Sequence, residues 1–370
     1  MIPVANPDIG EKELSYVIDA IKSGWISSQG EYIRRFENKF AKFVGTKYGI
    51  AVSSGTAALH LALLALGIKE GDEVLVPDLT FASPANMVVV TGARPVFVDV
   101  TKTYWCIDPE EIRRKITNRT KAIIVVHLYG NPAKMDEILE IANDYGLYII
   151  EDAAEAHGAE FKGKKVGSLG HVGIFSFYGN KIITTGEGGM VVTNDQEIAE
   201  EVRLLRDHGM RPRYWHIRVG FNYRMTNIQA AIGLAQLERI NELLDKKRRI
   251  AKLYSELLSD VSGILPHPEM RWAKNSYWLY SILIEREKFG LSRDQVMQFL
   301  YKNGIETRKF FYPLHIMPIY KQFVKENETF RNSTFLHERG LNLPSGPKIS
   351  DEEILKVCET LLSLRTLTKK

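Results

Sequence analysis

Short apolar runs alternate with helical segments between residues 49 and 194, and this alternation restricts the chain to few folds. The runs are GIAVSS (49–54), EVLVPDL (73–79), PVFVDV (95–100), KAIIVVHLYG (121–130), LYIIED (147–152), GIFSFYG (173–179) and GGMVVTN (188–194). Several are apolar throughout, as in strands buried on both faces of a sheet. Helical patterns occupy 56–68, 83–93 and 132–146. We therefore predict an α/β fold with a mostly parallel sheet flanked by helices.

The pattern changes near residue 260. A single long helix is predicted from about Thr226 to Leu258, and it stops at VSGILPHPEM, where one Gly and two Pro interrupt it. The strand-like SYWLYSILI and two amphipathic helical segments follow. We predict a large domain over residues 1–260 and a small C-terminal α+β domain over 261–370. The basic run KKRR at 246–249 is interpreted as a solvated helix face.

Charge and cysteine content narrow the class of protein. A net charge of +4 over 370 residues is too weak to argue for nucleic acid binding, although it suits an anionic substrate. Cys106 and Cys358 are far apart and indicate neither a disulfide framework nor a metal site. Neither a signal peptide nor an apolar stretch of about 18 residues is found. A cytoplasmic protein without metal, nucleic acid or membrane partner is expected.

The first motif of interest runs from Ser53 to Thr56, between the first predicted strand and an apolar helix. A small, Gly-containing turn exposes backbone N–H groups at a helix N-terminus, which suits a phosphate. An ordinary helix start with Ser or Thr as the N-cap explains the same residues.

The second motif is Glu151, Asp152 and Glu155, directly after the apolar strand LYII. Carboxylates at the carboxyl end of a buried parallel strand lie where α/β sheets bind ligands. A carboxylate there can keep a ring nitrogen protonated and make the ring an electron sink. A helix-capping aspartate is an equally good interpretation of this motif alone.

The third motif is the segment GIFSFYGNKIITTGEGG, in which Lys181 follows a predicted strand and precedes a Gly-rich stretch. Lysine forms Schiff bases with carbonyls, and partial burial lowers its pKa enough to make it nucleophilic. The segment is not the phosphate loop of nucleotide hydrolases, because Asn180 precedes the lysine. An isolated lysine is more often a solvated surface residue.

In this order the three motifs resemble fold-type-I pyridoxal phosphate (PLP) enzymes, and the chain is similar to the DegT/DnrJ/EryC1/StrS sugar aminotransferase family. The resemblance extends from GWISSQG (24–30) to LNLPS (341–345). FSFYGNKIITTGEGGMVVTND and GFNYRMTNIQAAIGLAQLE most resemble members that act on GDP-linked 4-keto-6-deoxymannose. The resemblance implies PLP-dependent amination of the sugar C4 by glutamate, in lipopolysaccharide O-antigen synthesis. UDP- or dTDP-linked keto sugars are alternative substrates.

The resemblance also implies roles for individual residues. Lys181 corresponds to the lysine that binds PLP covalently and moves the proton, and Asp152 to the partner of the pyridine nitrogen. Glu155 stands where many relatives have Gln, and contacts the ring or its hydroxyl group.

The resemblance also assigns residues of this chain to the phosphate of PLP and to the face of its ring. Gly55, Thr56 and Ser176 correspond to residues that hold the phosphate, and Phe81 to a residue that stacks on the ring, with core packing as its alternative role. Asn222 corresponds to a residue that reaches the phosphate of the neighbouring subunit. The resemblance thus implies a homodimer with shared active sites.

Two segments resemble those that line the sugar-nucleotide pocket in the family. They contain Trp25 and Ser27 at one end of the chain and Tyr312 and His315 at the other. Arg308 is a candidate for the diphosphate, because its planar fork matches pairs of oxygens. Surface or packing roles are equally compatible with these five residues.

Two other functions fit the same family. A PLP-dependent sugar 3-dehydratase has the same fold, but such relatives carry histidine where this chain has Lys181. A transcriptional regulator would need a DNA-binding module, and the sequence has neither a helix-turn-helix pattern nor a clustered basic stripe.

Overall fold

The computed structural model describes residues 1–367, with side chains described through residue 364. Its strands are, in chain order, β1 (Tyr48–Val52), β2 (Glu73–Pro77), β3 (Arg94–Val98), β4 (Thr120–Val126), β5 (Tyr148–Asp152), β6 (Glu160–Phe161), β7 (Lys164–Lys165), β8 (Val172–Ser176), β9 (Gly189–Thr193), β10 (Ile264–Leu265), β11 (Ala273–Lys274), β12 (Tyr280–Ile284), β13 (Arg308–Lys309) and β14 (Gly340–Leu343).

The α-helices within the same residues are α1 (Glu11–Lys22), α2 (Glu31–Val44), α3 (Gly55–Ala65), α4 (Ser83–Val90), α5 (Pro109–Lys115), α6 (Met135–Tyr145), α7 (Gln196–Arg206), α8 (Asn227–Leu237), α9 (Ile240–Leu258), α10 (Arg286–Phe289), α11 (Arg293–Lys302), α12 (Arg331–Arg339) and α13 (Asp351–Leu367). Short 3₁₀ turns cover Leu128–Gly130, Leu314–Ile316 and Pro318–Phe323. None of these helices has the length and apolar composition needed to cross a membrane.

The seven apolar runs between residues 49 and 194 all form strands, and in the described part of the chain they build one seven-stranded sheet. Its order is β1-β9-β8-β5-β4-β2-β3. Strand β9 is antiparallel to β1 and β8, and the remaining pairs are parallel. Most of the strand residues are buried, which explains the runs without polar alternation. The predicted α/β fold with a mostly parallel sheet is confirmed.

The strand predicted over 121–130 is shorter in the structure and ends at Val126. The His127 N–H still donates to the Asp152 carbonyl oxygen at 3.1 Å. The chain then turns, and Tyr129 adopts a φ of 54°, outside the range of a strand. The turn brings Tyr129 to the carboxyl edge of the sheet, where its N–H donates to Glu155 Oε2 at 2.9 Å.

The single long helix predicted from 226 to 258 is wrong, because the structure has two helices, α8 and α9. Arg239 lies between them with φ −108° and ψ 5°. Helix α8 packs into the core of the large sheet, whereas the second half of α9 packs with Tyr280 and Ile282 in the C-terminal core. Because the two helices pack against different cores, the helix must break between them. Apolar periodicity does not reveal that break.

The C-terminal part of the chain forms its own antiparallel sheet, in the order β10-β12-β14-β13. Its core also contains Ile2, Ile250 and Tyr254, so segments before residue 260 contribute to it. The Ile2 backbone bonds to Gly304 and Glu306. The domain boundary at residue 260 stays a prediction, and α9 contributes to the packing on its C-terminal side.

The interpretation of the basic run 246–249 as a solvated face is wrong for Lys247, which is only 4% exposed. Its Nζ donates to the Trp278 carbonyl oxygen at 2.8 Å and to the Ser345 carbonyl oxygen. Lys246 instead pairs with Asp8 at 2.8 Å, nearer the surface. Helical position separates these neighbours, because successive residues on a helix face different directions.

Candidate functional site

A cavity of about 470 Å³ opens at the carboxyl edge of the large sheet. Its floor is formed by the N-terminus of α3, the ends of β5 and β8 and the loop after β8. We use "the floor" for Gly55, Thr56, Asp152, Glu155, Ser176 and Lys181. Residues far along the chain close the other side. We use "the C-terminal wall" for Trp278, Arg308, Lys309, Phe311 and Asn342.

Lys181 has its amine between acidic and aromatic groups. Its Nζ lies 3.7 Å from Glu155 Oε1 and 3.7 Å from the centroid of the Trp278 ring. Burial lowers the pKa of the Lys181 amine from its ordinary value, and the carboxylates of Glu155 and Asp152 oppose that shift. A lysine that loses its proton more readily than usual is a better nucleophile and proton acceptor.

Asp152 is the last residue of β5 and lines the cavity while only 6% exposed. The Ala154 N–H donates to its Oδ1 at 3.1 Å. Burial raises the pKa of Asp152 to about 6, and the Ala154 N–H and the positive charge of Lys181 limit the rise. A carboxylate held in this way suits a cationic ring nitrogen.

Glu151 precedes Asp152 in the strand and serves a different purpose. Successive side chains of a strand point to opposite faces of the sheet. The Glu151 carboxylate accepts the N–H groups of Leu169 and Gly170, both at 2.6 Å, and lies 3.0 Å from His127 Nε2. It ties the loop before β8 to the sheet, so only one of the two adjacent carboxylates faces the cavity.

Glu155 is buried beside Lys181. Burial raises the pKa of its carboxyl group to about 7, while Lys181 and the Tyr129 N–H act in the opposite direction. The carboxyl group therefore changes charge near neutral pH, within reach of the lysine amine. A glutamine at this position would offer the same shape without a change of charge.

The other end of the floor is suited to an anion. Ser54 caps α3, its Oγ accepting the Ala57 N–H at 3.1 Å. The first-turn N–H groups of a helix have no partner within the helix, and here they belong to Gly55 and Thr56. A Cβ on Gly55 would lie 2.8 Å from the Ser176 Cβ, so glycine permits the close approach of α3 to β8. Thr56 Oγ1 lies 2.9 Å from Ser83 Oγ.

Phe81 and Arg308 also line the cavity. Phe81 is 58% exposed, and its ring lies 5.9 Å from that of Phe311. It is therefore not part of the core, which was the alternative role predicted for it. Arg308 is partly exposed, and its guanidinium lies 3.6 Å from Glu306 at the mouth of the cavity.

Trp25, Ser27 and Asn222 do not line this cavity. Trp25 is 56% exposed and borders a separate surface depression with Arg34 and Arg206. The Ser27 carbonyl oxygen accepts the Asn227 N–H at 2.6 Å. Asn222 is exposed and forms an isolated backbone bridge with Asp207.

Tyr312 and His315 follow the C-terminal wall but lie outside the cavity lining. The Tyr312 ring packs on His337 at 4.5 Å. His315 pairs with buried Asp78, its Nδ1 lying 2.7 Å from Asp78 Oδ2. This pair fixes the 3₁₀ turn at 314–316 against the end of β2.

Trp278, Tyr129 and Asn342 also line the cavity, although no sequence motif pointed to them. Each was part of a segment interpreted as a strand or as a general match to the family. No local signal separated Trp278 from its neighbours, because all residues of SYWLYSILI (276–284) are buried.

Comparison with known proteins agrees with this geometry. The profile of the DegT/DnrJ/EryC1/StrS aminotransferase family matches residues 7–362. Proteins named GDP-perosamine synthase from Escherichia coli O157:H7 and Vibrio cholerae are 46% and 44% identical, over 97% and 98% of both chains. Spr1654 from Streptococcus pneumoniae, solved in a PLP-form, aligns with a TM-score of 0.92 at 28% identity, covering 99% of each chain.

The cavity fits the cofactor of that family. It holds an anion-binding helix N-terminus, a buried carboxylate at a strand end and a lysine amine with a lowered pKa, as PLP requires. The tight contact of Gly55 with Ser176 leaves backbone rather than side chain facing the phosphate end. PLP is therefore the cofactor.

Proposed function

The chain belongs to the DegT/DnrJ/EryC1/StrS aminotransferase family, and we propose that it aminates C4 of GDP-4-keto-6-deoxymannose with glutamate as donor, giving GDP-perosamine. The observation that carries the proposal is the 44–46% identity, over nearly the full length, to proteins named GDP-perosamine synthase. The presence of Lys181 speaks against the sugar 3-dehydratase alternative.

The floor supplies the groups that this chemistry needs. When bound, PLP provides an electron sink that makes the proton next to the amino group acidic. Lys181 takes that proton at Nζ as a general base. In the second half of the reaction it returns a proton as a general acid. Asp152 holds the ring nitrogen, and Gly55, Thr56 and Ser176 bind the phosphate.

The remaining lining residues orient the substrates and exclude water. Phe81 would stack on the cofactor ring, and Glu155 would contact its hydroxyl group and set the charge beside the lysine. Arg308 pairs with the diphosphate at the mouth of the cavity. We assign Trp25, Ser27, Tyr312 and His315 to the nucleotide end on the family resemblance, since none of the four lines the cavity of a single chain.

A comparison of substrates tests the proposal. We expect kcat/KM with glutamate to be highest for GDP-4-keto-6-deoxymannose among GDP-, UDP- and dTDP-linked keto sugars. An unsatisfied buried hydrogen-bonding group on the wrong base costs about 1–3 kcal/mol, or about one to two decades in affinity. A higher kcat/KM for the UDP or dTDP substrate would reject the GDP assignment and leave the aminotransferase activity standing.

We also propose a homodimer in which Asn222 serves the partner's phosphate site. Asn222 lies outside the cavity of its own chain, and the segment before it exposes apolar side chains, including Trp215 at 67% and Val219 at 87%. Large exposed apolar groups mark interaction surfaces. A dimer would cover them and complete both sites.

Subunit mixing tests the shared site. Lys181→Ala and Asn222→Ala homodimers are each expected to have little activity. After subunit exchange at equal amounts, a heterodimer has one site with both changes and one with neither, so about a quarter of wild-type activity returns. Exchange without recovery would mean that Asn222 does not act across the interface.

The proposal extends to a cytoplasmic enzyme of lipopolysaccharide O-antigen synthesis. Cys106 and Cys358 are both buried as free thiols, which suits a reducing compartment. The O-antigen assignment rests on the family resemblance.

A further inference from the structure

Lys247 of α9 is buried without a negative partner. Its two hydrogen-bond acceptors are the main-chain carbonyl oxygens of Trp278 and Ser345, and no ion pair to a carboxylate is found within residues 1–364. Burial lowers the pKa of Lys247 to about 7. An amine buried in this way costs folding free energy, so its presence calls for a structural or functional reason.

The acceptor Trp278 is the residue that covers the reactive end of Lys181. Its indole face lies 3.7 Å from Lys181 Nζ, and its Nε1 donates to the Asn180 carbonyl oxygen at 2.7 Å. Tyr277, just before it, has a φ of 50°, which a bulky residue adopts only when its surroundings hold it. The carbonyl group that Lys247 binds belongs to Trp278, the residue directly after this strained one.

We propose that Lys247 is a positioning residue that holds Trp278 over the Lys181 amine and so keeps water from that amine. This inference rests on the proposed function, because it takes Lys181 to be the reactive lysine. Lys247 does not itself line the main cavity. It acts from the far side of Trp278, joining α9, the approach to β12 and the segment after β14 in one contact.

Removal of the Lys247 amine is therefore expected to make the Lys181 amine more exposed to water. Burial is the largest influence on the Lys181 pKa, and it lowers it. If Trp278 withdraws, water reaches the amine and its pKa rises, because the loss of burial, the largest influence, outweighs the lost attraction of the ring for the ammonium form. The titratable groups that interact with Lys181 are Glu155, Asp152 and His157, and Lys247 itself lines a small cavity with Lys181 and Trp278.

The test is competitive acetylation of the full-length protein with acetic anhydride across pH, in PLP-free and PLP-loaded samples, with Lys181 followed by peptide mass spectrometry. In the PLP-free Lys247→Met protein the midpoint of Lys181 acetylation should rise by about one pH unit, a tenfold loss of neutral amine at a fixed lower pH. Lys246→Met changes the adjacent basic residue and should leave the midpoint where it is in the wild type.

A double-mutant cycle separates positioning from a general structural effect. Trp278→Phe should raise the midpoint as Lys247→Met does, and the double variant should add nothing to the larger single effect. Additive shifts, or a Lys247→Met midpoint equal to that of the wild type, would overturn the proposal. If Lys247→Met does not fold, Lys247→Arg decides, since the altered donor geometry should raise the midpoint by a smaller amount and an unchanged midpoint rejects the role.

The loaded enzyme gives a second measurement. At one fixed pH below both acetylation midpoints, Lys247→Met should lower kcat about tenfold with KM for glutamate nearly unchanged, because only the protonation of Lys181 is altered. The acetylation midpoint needs neither PLP nor sugar, so failure of the substrate assignment leaves it intact. Conversely, if the enzyme is active but the midpoint of Lys181 acetylation is the same in Lys247→Met as in the wild type, only this inference is rejected.

Discussion

The floor and the C-terminal wall meet in one cavity, but the charged side chains of the floor are more buried than those of the wall. Asp152 and Glu155 in the floor are 6% and 5% exposed, and burial shifts the pKa of each. Arg308 in the C-terminal wall has 41% of its side chain exposed. Low exposure strengthens electrostatic interactions, so the floor suits bond making and proton transfer. The more exposed cation of Arg308 suits recognition of a substrate that must enter and leave.

The largest effect is expected at the centre of the floor. Lys181→Ala should lower kcat by at least about 10³–10⁴-fold, since both the nucleophile and the proton acceptor are lost. PLP should still bind without a covalent link, as measured by dialysis and by borohydride reduction, which fixes PLP to Lys181 in the wild type. Lys164→Ala, on an exposed strand, is the matched control. A borohydride adduct on another lysine would contradict the assignment.

Asp152→Asn should lower kcat about a hundredfold or more, with circular dichroism and unfolding midpoint close to those of the wild type. The amide keeps the shape and removes the charge that pairs with the ring nitrogen. Glu140→Gln, at an exposed position, controls for the loss of one carboxylate. A near-normal rate in Asp152→Asn would mean that another group performs this task.

Arg308→Met should weaken substrate binding and leave the chemical step intact. We expect KM for the sugar nucleotide to rise about tenfold with little change in kcat. A charged hydrogen bond contributes about 1.5–3 kcal/mol, and the partial exposure of Arg308 places the expected loss at the lower end. Arg308→Lys should recover only part of the affinity, because lysine lacks the planar fork. An equal fall in kcat for both variants would mean that Arg308 contributes to the chemical step, as the floor does, and would contradict this prediction.

Glu155→Gln should change how stability depends on pH. The pKa of Glu155 is raised from 4.5 to about 7, so the folded PLP-free protein binds more protons than the unfolded chain between these values. Glu155 should therefore contribute a fall in the free energy of unfolding as pH rises through that window, on the order of 2 kcal/mol. Urea unfolding of the wild type and of Glu155→Gln at pH 5 and pH 8 isolates this contribution, because Asp152, whose pKa is also raised, titrates in both proteins. An unchanged difference would place the titrating group elsewhere.

The strands and the floor were largely predictable because their signals are local. Apolar runs predict buried strands, and Asp152 directly follows one of them. The helix break at Arg239 was not predictable, since α8 and α9 both have good helical patterns and differ only in the core that they face. The same holds for Lys247, whose burial within a basic run depends on what packs against that side of α9.

The sequence by itself therefore determined the parallel sheet, its carboxyl-edge motifs and the family to which the chain belongs, because these follow from residues close together in the chain. Only the tertiary structure decided that Asp152 rather than Glu151 faces the cavity, and that Trp278 covers Lys181 from about a hundred residues away. The physical reason is that such contacts depend on how separate segments pack, and no local pattern in either segment encodes the partner.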